Sequence, residues 1–127
     1  MDEKEVKKIL KLPAHERFRY FLERAVSGRT LWALKDSSGW LLFGDTHEKS
    51  IMPLWPEKDF AEMYGKSLSL SCKAALIELN IFLDDWVPRF HDDGVKFLVF
   101  PTSDGKGLRI DALKLKDDIT NESRSPA

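Results

Sequence analysis

The chain has little cysteine and no long apolar run. Its only cysteine is Cys72, which rules out an internal disulfide and suits a reducing compartment. No apolar run approaches the roughly 20 residues that a membrane-spanning helix requires. The opening residues MDEKEVKKIL contain no continuous apolar segment of the kind found in signal peptides. The sequence therefore predicts a soluble cytoplasmic protein without a membrane partner.

Neither sign of charge is in excess. The 127 residues include 20 Lys and Arg against 21 Asp and Glu, which gives a net charge of -1. Proteins that bind the phosphate backbone of nucleic acids usually carry a basic excess, so the sequence predicts no nucleic-acid partner. A hydrophobic content of 43% with 32% charged residues is typical of one globular domain with a single core.

The chain also lacks the motifs of common catalytic and metal sites. The segment 105–107, Gly-Lys-Gly, is not part of the strand, glycine-rich loop and helix that together form a phosphate-binding loop. We therefore predict a hairpin turn there and no phosphate loop. Asp84 and Asp85 are consecutive on a predicted helix and point about 100° apart, away from the apolar stripe of Trp86. The segment 91–93, His-Asp-Asp, lacks calcium-loop spacing. We therefore assign no metal, no cofactor and no catalytic residue.

The most informative segment is 31–60, which holds three of the four tryptophans. Two apolar runs, 31–34 and 40–43, flank the residues Asp-Ser-Ser-Gly at 36–39, which is the composition of a hairpin turn. The run 40–43 is apolar at successive positions. This pattern predicts a strand that is covered on both faces and lies inside the sheet, not at its edge.

Four further segments have strand patterns. Segment 51–55 contains Pro53, which cannot donate a ladder hydrogen bond and so predicts an edge strand or a bulge. Segments 74–79 and 108–110 are short apolar runs. Segment 95–100 has the strongest strand pattern, and we expect it beside the hairpin.

Helical spacing of apolar residues predicts five helices, at about 2–11, 14–27, 56–64, 80–90 and 112–119. Gly28 is placed to end the second helix in a left-handed cap and Gly65 to end the third, while Asn80 is the expected N-cap of the fourth. Pro88 falls inside the fourth helix, which should kink or restart there. The fold prediction is a single α+β domain over residues 1–119, with an antiparallel or mixed sheet of about four or five strands and packed helices. The tail, 120–127, is expected to be disordered.

Several segments together resemble a known family. The segments are FRYFLERA, LWALKDSSGWLL, PLWPEKDFAE, FLDDWVPRFHDDG and VKFLVFPTSDGKG. In this order they resemble the bacterial family called domain of unknown function 2750, over nearly the whole chain, from about Leu12 to about Leu115. The most specific pieces are W-x-L-x-D-x-x-G-W and P-x-W-P. The resemblance implies a small cytoplasmic bacterial α+β protein, and it brings no established activity, cofactor or catalytic residue.

The function that we favour from the sequence is non-catalytic: a protein-binding domain with a regulatory or accessory role. Its predicted contact surface lies around Trp40, Asp45 and Trp55, where Pro53 and Pro56 stiffen the chain at the rim of the sheet. Rigid aromatic side chains beside polar groups are typical of binding hot spots. The competing expectation is that all four tryptophans belong to the core. The sequence identifies no particular partner and sets no oligomeric state.

An enzyme is the alternative function. Asp45, His47 and Glu48 form a polar cluster in a predicted connection, with the hydroxyl of Ser50 nearby. A loop-built hydrolytic site would need these groups held in fixed geometry. We expect turn chemistry here, with the enzyme as the rival hypothesis.

Overall fold

Helices and short strands alternate irregularly along residues 2–44 and 50–124, which are the residues described by the computed structural model. The strands are β1 (Thr30–Asp36), β2 (Gly39–Trp40), β3 (Ile51–Leu54), β4 (Lys73–Glu78), β5 (Lys96–Val99) and β6 (Leu108–Ile110). The helices are α1 (Glu3–Leu10), α2 (Ala14–Gly28), α3 (Lys58–Ser67), α4 (Leu79–Ile81), a π-helical turn (Phe82–Trp86), α5 (Val87–Asp93) and α6 (Ala112–Arg124). The α+β prediction is confirmed. No described helix has both the length and the apolar character needed to cross a bilayer.

The first sheet is antiparallel and has the order β2-β1-β4. The predicted hairpin is confirmed: Asp36 faces Gly39, the Ser38 amide donates to the Asp36 carboxylate at 2.7 Å, and Gly39 takes a φ of 123°. The expected interior position of segment 40–43 is wrong. Strand β2 contains two residues and forms an edge, because the chain leaves β1 after the Leu41 amide has bonded to the Leu34 carbonyl.

The second sheet has the order β3-β5-β6, with β3 parallel to β5 and β5 antiparallel to β6. The expectation that segment 95–100 lies beside the hairpin is therefore wrong. Strand β4 occupies that place and pairs with β1 along six successive residues, from Lys73 to Glu78. The six strands thus divide into two small sheets in place of the single sheet that we predicted.

Among the described strands, the backbones of the two sheets meet at Trp32 and Trp55. The Trp32 amide donates to the Trp55 carbonyl at 2.9 Å, and the Trp55 amide donates to the Trp32 carbonyl at 2.8 Å. Ile51 bonds to Phe43 in the same way on the same side of β3. Backbone groups alternate in direction along a strand, so the nitrogen of Pro53, which has no hydrogen to donate, faces the same side of β3 as Ile51 and Trp55. It lies between their two pairs of hydrogen bonds. Its predicted edge position is confirmed, and no ladder bond is lost there.

The core fills the space between the helices and the two sheets. Its largest fully buried side chains are Trp55, Phe21, Phe60, Phe82, Phe97 and Phe100. Helix α6 contributes Ala112, Leu115 and Ile119, which is the predicted apolar line. The helix continues to Arg124, so the predicted disorder is wrong for residues 120–124. Helix α6 extends past Ile119, its last buried residue, because each further residue adds one local backbone hydrogen bond once a helix has started.

Three predicted helix boundaries are wrong. Gly28 is the last residue of α2, and Arg29 takes the left-handed conformation with a φ of 56°. Gly65 continues α3 to Ser67, and a β-carbon there would make an ordinary van der Waals contact with Leu34, at 3.7 Å. Asn80 caps no helix; it accepts a hydrogen bond from the Arg29 guanidinium at 2.6 Å.

The predicted irregularity at Pro88 takes the form of a π-helical turn. Proline has no amide hydrogen and clashes with the preceding turn of an α-helix. Just before Pro88, the Val87 amide donates to the Phe82 carbonyl, five residues earlier. The wider turn keeps the helical path continuous and leaves Phe82 and Val87 buried.

Arg17 ties α2 to the loop that connects β5 and β6. It is 5% exposed, and its guanidinium donates to three backbone carbonyls, those of Leu12 at 2.6 Å, Lys106 at 2.9 Å and Phe100 at 3.3 Å. Burial lowers the pKa of Arg17, while the charge of Asp104 opposes that shift. The predicted stripe of α2 used Phe18, which is only partly buried. Arg17 is buried in place of Phe18, because backbone carbonyls accept hydrogen bonds from its buried donors.

We expect Arg17→Met to lower the free energy of unfolding by about 2 to 4 kcal/mol, because three backbone carbonyls, one buried and two partly buried, lose their donor at once. Arg19→Met is the matched control on the same helix. Arg19 has a side-chain exposure of 75% and forms an ion pair with Glu23 at 3.8 Å, so its loss should cost less than about 0.5 kcal/mol. Urea denaturation of both variants measures the difference. Equal losses would contradict the role given to Arg17.

Tyr20 fastens α2 to the start of α3. Its hydroxyl donates to the carboxylate of Glu57, which also lies 3.6 Å from the Arg24 guanidinium. The ring meets Phe60 edge-on, with centroids 6.2 Å apart. Burial, reinforced by the hydrogen bond and charge of Glu57, raises the pKa of Tyr20 far above its ordinary value.

This shift predicts alkaline destabilisation. The unfolded chain releases the Tyr20 proton near pH 10, whereas the folded chain retains it, so this contribution to stability is complete below about pH 10 and declines at higher pH. The stability difference between the wild type and Tyr20→Phe should therefore shrink as pH rises past about 10. Tyr64, whose pKa burial also raises, is present in both proteins and cancels in the comparison. Urea titrations at several alkaline pH values test this, and a constant difference would contradict it.

Candidate functional site

Trp40 lies at the end of β2 and is half-buried, with its ring fixed by two neighbours. The ring of Trp86 contacts it edge-on, with centroids 4.9 Å apart and an interplanar angle of 79°. The ammonium of Lys35 lies 5.0 Å from the centroid of the Trp40 ring. An aromatic pair and a cation over the ring face are both favourable, so the side chain is held in place while part of it remains accessible.

Two lysines lie on the same face of the sheet as this ring. In the register of the first sheet, Lys35 faces Trp40 on β2 and Lys73 on β4. Residues directly opposite each other share a face, so the two ammonium groups and the Trp40 ring lie on the same side of the sheet. Both lysines are exposed. We call Trp40, Trp86, Lys35 and Lys73 the Trp40 surface. A pair of like charges opposite each other weakens a sheet, and here it places two positive charges on the face that carries Trp40.

Trp55, the second aromatic residue of the predicted contact surface, is fully buried. Its indole donates to the Pro101 carbonyl at 3.1 Å, and its ring centroid lies 5.1 Å from that of Tyr64. It therefore presents no ring to a partner, and its expected exposure at the rim is wrong. Strand β3 is buried on both faces, so Trp55, which directly follows it, points into the core and not over the rim of the sheet. Trp32 and Trp86 are, like Trp40, partly buried.

The polar cluster of Asp45, His47 and Glu48 lies outside the described residues. The contribution of Asp45 to a contact surface and the loop-built enzyme site therefore stay predictions. Within the described residues, the structure brings together no three His, Cys, Asp or Glu side chains that could hold a metal ion. Burial raises the pKa of Cys72, and the charge of Asp36 adds to the shift, so its thiol is protonated at neutral pH.

A second polar region surrounds the loop between β5 and β6. Asp104 accepts hydrogen bonds from the Thr102 hydroxyl and, at 3.1 Å, from the Lys106 amide, and Gly105 takes a φ of 83°. This geometry confirms the predicted hairpin turn. The Thr102 hydrogen bond, followed by that of Lys106, lowers the pKa of Asp104. A cleft of about 450 Å³ lies between this loop and Arg17. The polar groups of Arg17 are already used in hydrogen bonds to the backbone that stabilise the fold.

The model of a family described as "Protein of unknown function (DUF2750)" matches residues 18–119. The chain belongs to this family. The match confirms the resemblance seen in the sequence motifs and covers both the Trp40 surface and the loop between β5 and β6. No curated protein and no solved structure matches the chain.

The sequence motifs contained Trp40 but did not identify its neighbours. In the sequence, Lys35 stands out only as a polar residue on a predicted strand. Lys73, which pairs with it in the register, is 38 positions further along the chain. Trp86 was assigned to the buried stripe of a helix. The signal that connects them is the sheet register, which single-sequence patterns do not specify.

Alanine substitutions should separate the two tryptophans. Trp55→Ala removes a fully buried ring together with its hydrogen bond, and we expect it to lower the free energy of unfolding by about 3 to 5 kcal/mol. Trp40→Ala should cost about 1 to 2 kcal/mol, because that ring is only half-buried and loses one aromatic contact. Chemical denaturation of both variants provides the measurement. A loss for Trp40→Ala as large as that for Trp55→Ala would mean that Trp40 is a core residue.

Proposed function

We propose that this protein is a non-catalytic protein-binding domain and that its partner docks on the Trp40 surface. The observation that carries the proposal is the partly exposed Trp40 ring, fixed between Trp86 and the Lys35 ammonium. A side chain already held in place loses little conformational entropy on binding. Tryptophan is also among the residue types most enriched in binding hot spots.

The charges of the surface indicate the chemistry of the partner. Lys35 and Lys73 are both exposed and lie directly opposite each other on β1 and β4. No carboxylate pairs with either lysine in the register of the described strands. A partner segment with Asp or Glu beside an apolar side chain would neutralise this pair while its apolar group covers Trp40. We therefore propose an acidic protein segment as the ligand. Asp45 stays a predicted member of the surrounding rim, and a cytoplasmic bacterial setting stays part of the proposal.

Comparative affinity capture tests this function. The wild-type protein, Trp40→Ala and Lys35→Glu serve as baits in one bacterial lysate, and quantitative mass spectrometry compares the captured proteins. We expect at least one protein to bind the wild type and to fall by about tenfold or more with either variant, as hot-spot truncation predicts. Raising the salt concentration should weaken the same interaction, because exposed charges are screened.

Lys8→Glu is the matched charge control. Lys8 is exposed on α1, so its reversal changes the net charge equally without touching the Trp40 surface. Capture by this variant should equal capture by the wild type. Equal losses for Lys8→Glu and Lys35→Glu would indicate a nonspecific charge effect, and the docking proposal would then be wrong. Undiminished capture by both Trp40→Ala and Lys35→Glu would also overturn it.

A further inference from the structure

Strand β4 has one side free among the described residues. The Leu79 amide donates to the Arg29 carbonyl at 3.0 Å, which fixes the phase of the ladder that continues along β1 and β4. Backbone groups alternate in direction along a strand. Ala75 and Ile77 therefore bond to β1, whereas the amides and carbonyls of Ala74, Leu76 and Glu78 point outward. Among the described residues, no backbone group outside the helix that follows β4 pairs with those outward groups.

The centre of this edge carries an exposed apolar side chain. Leu76 is 52% exposed, more than any other large hydrophobic residue in the described part of the chain. It lies directly opposite Trp32 in the register and therefore shares a face with that half-buried ring. Natural proteins usually protect such an edge with charges, proline or a bulge at its centre. The charged residues of β4, Lys73 and Glu78, stand only at its two ends.

We propose that β4 pairs with β4 of a second copy of this chain, antiparallel and about a two-fold axis at Leu76. The two three-stranded sheets would then form one continuous six-stranded sheet, in the order β2-β1-β4-β4-β1-β2, by the strand order of each copy. The Trp40 surface includes Lys73 of the same strand, but that side chain lies on the other face of the sheet from Leu76, and the dimer does not depend on the function proposed above.

The choice of a second copy and of this register follows from the strand itself. In a two-fold antiparallel pair, a residue at the axis faces its own copy. With Leu76 at the axis, Ala74 faces Glu78 of the other copy, so all three outward residues of each strand pair with one another; no other two-fold register achieves this. An axis at Glu78 would place two carboxylates opposite each other, which is unfavourable. The Leu76 register instead forms an apolar row of Trp32, Leu76, Leu76 and Trp32 across four strands.

Sedimentation velocity over a concentration series, combined with amide hydrogen exchange, tests the proposal. The interface is small, so we expect a reversible dimer with a micromolar dissociation constant. The amides of Ala74, Leu76 and Glu78 should gain protection of about tenfold or more as the dimer forms, because each acquires a bonding partner only there. The amides of Ala75 and Ile77 bond within the monomer and should be protected at every concentration.

Leu76→Lys should weaken dimerisation by about a hundredfold or more, since it places two ammonium groups at the axis and removes the apolar row. Protection of Ala75 and Ile77 in this variant establishes that it is folded. The control is Leu113→Lys on α6, where Leu113 is 46% exposed, and it should dimerise like the wild type. A wild-type chain that remains monomeric throughout the series would overturn the proposal. A dimer that persists in Leu76→Lys, or that leaves the three outward amides unprotected, would also overturn it.

Discussion

The arrangement of this molecule depends on the backbone pair between Trp32 and Trp55. These two reciprocal hydrogen bonds are the point at which the antiparallel sheet meets the mixed one. The Trp55 ring then extends into the core, where its indole bonds to the loop after β5. Because one residue supplies both contacts, the position of β3 fixes the first sheet relative to β5 and to the helices that cover it. Pro53 fits beside this junction because its side of β3 needs no donor.

Arg17 adds a comparable constraint at the same loop after β5. A buried guanidinium is costly unless its donors are satisfied, and here backbone carbonyls from three parts of the chain satisfy them. One of these carbonyls belongs to Phe100, which has a φ of 53°, an uncommon conformation for a bulky residue. The Phe100 amide also bonds to the Leu54 carbonyl at 2.7 Å. Hydrogen bonds from two sides thus hold a strained residue at the end of β5.

The first sheet carries two surfaces with different chemistry. On one face, Trp40 of β2, Lys35 of β1 and Lys73 of β4 combine an aromatic ring with positive charge, which suits a partner of acidic character. At the β4 edge, backbone groups and Leu76 are open, which suits another strand. The family match spans both surfaces.

The sequence by itself determined the elements that depend on local patterns: the hairpin at 36–39, the edge character of Pro53, the irregular helix before Pro88 and the apolar line of α6. It also contained the family motifs. Only the tertiary structure decided which strands pair, because pairing depends on contacts between residues far apart in the chain. The same holds for the tryptophans. Trp40 and Trp55 have similar surroundings in sequence, yet their exposure follows from what packs over each ring, and for Trp55 that cover comes from Tyr64 and Pro101.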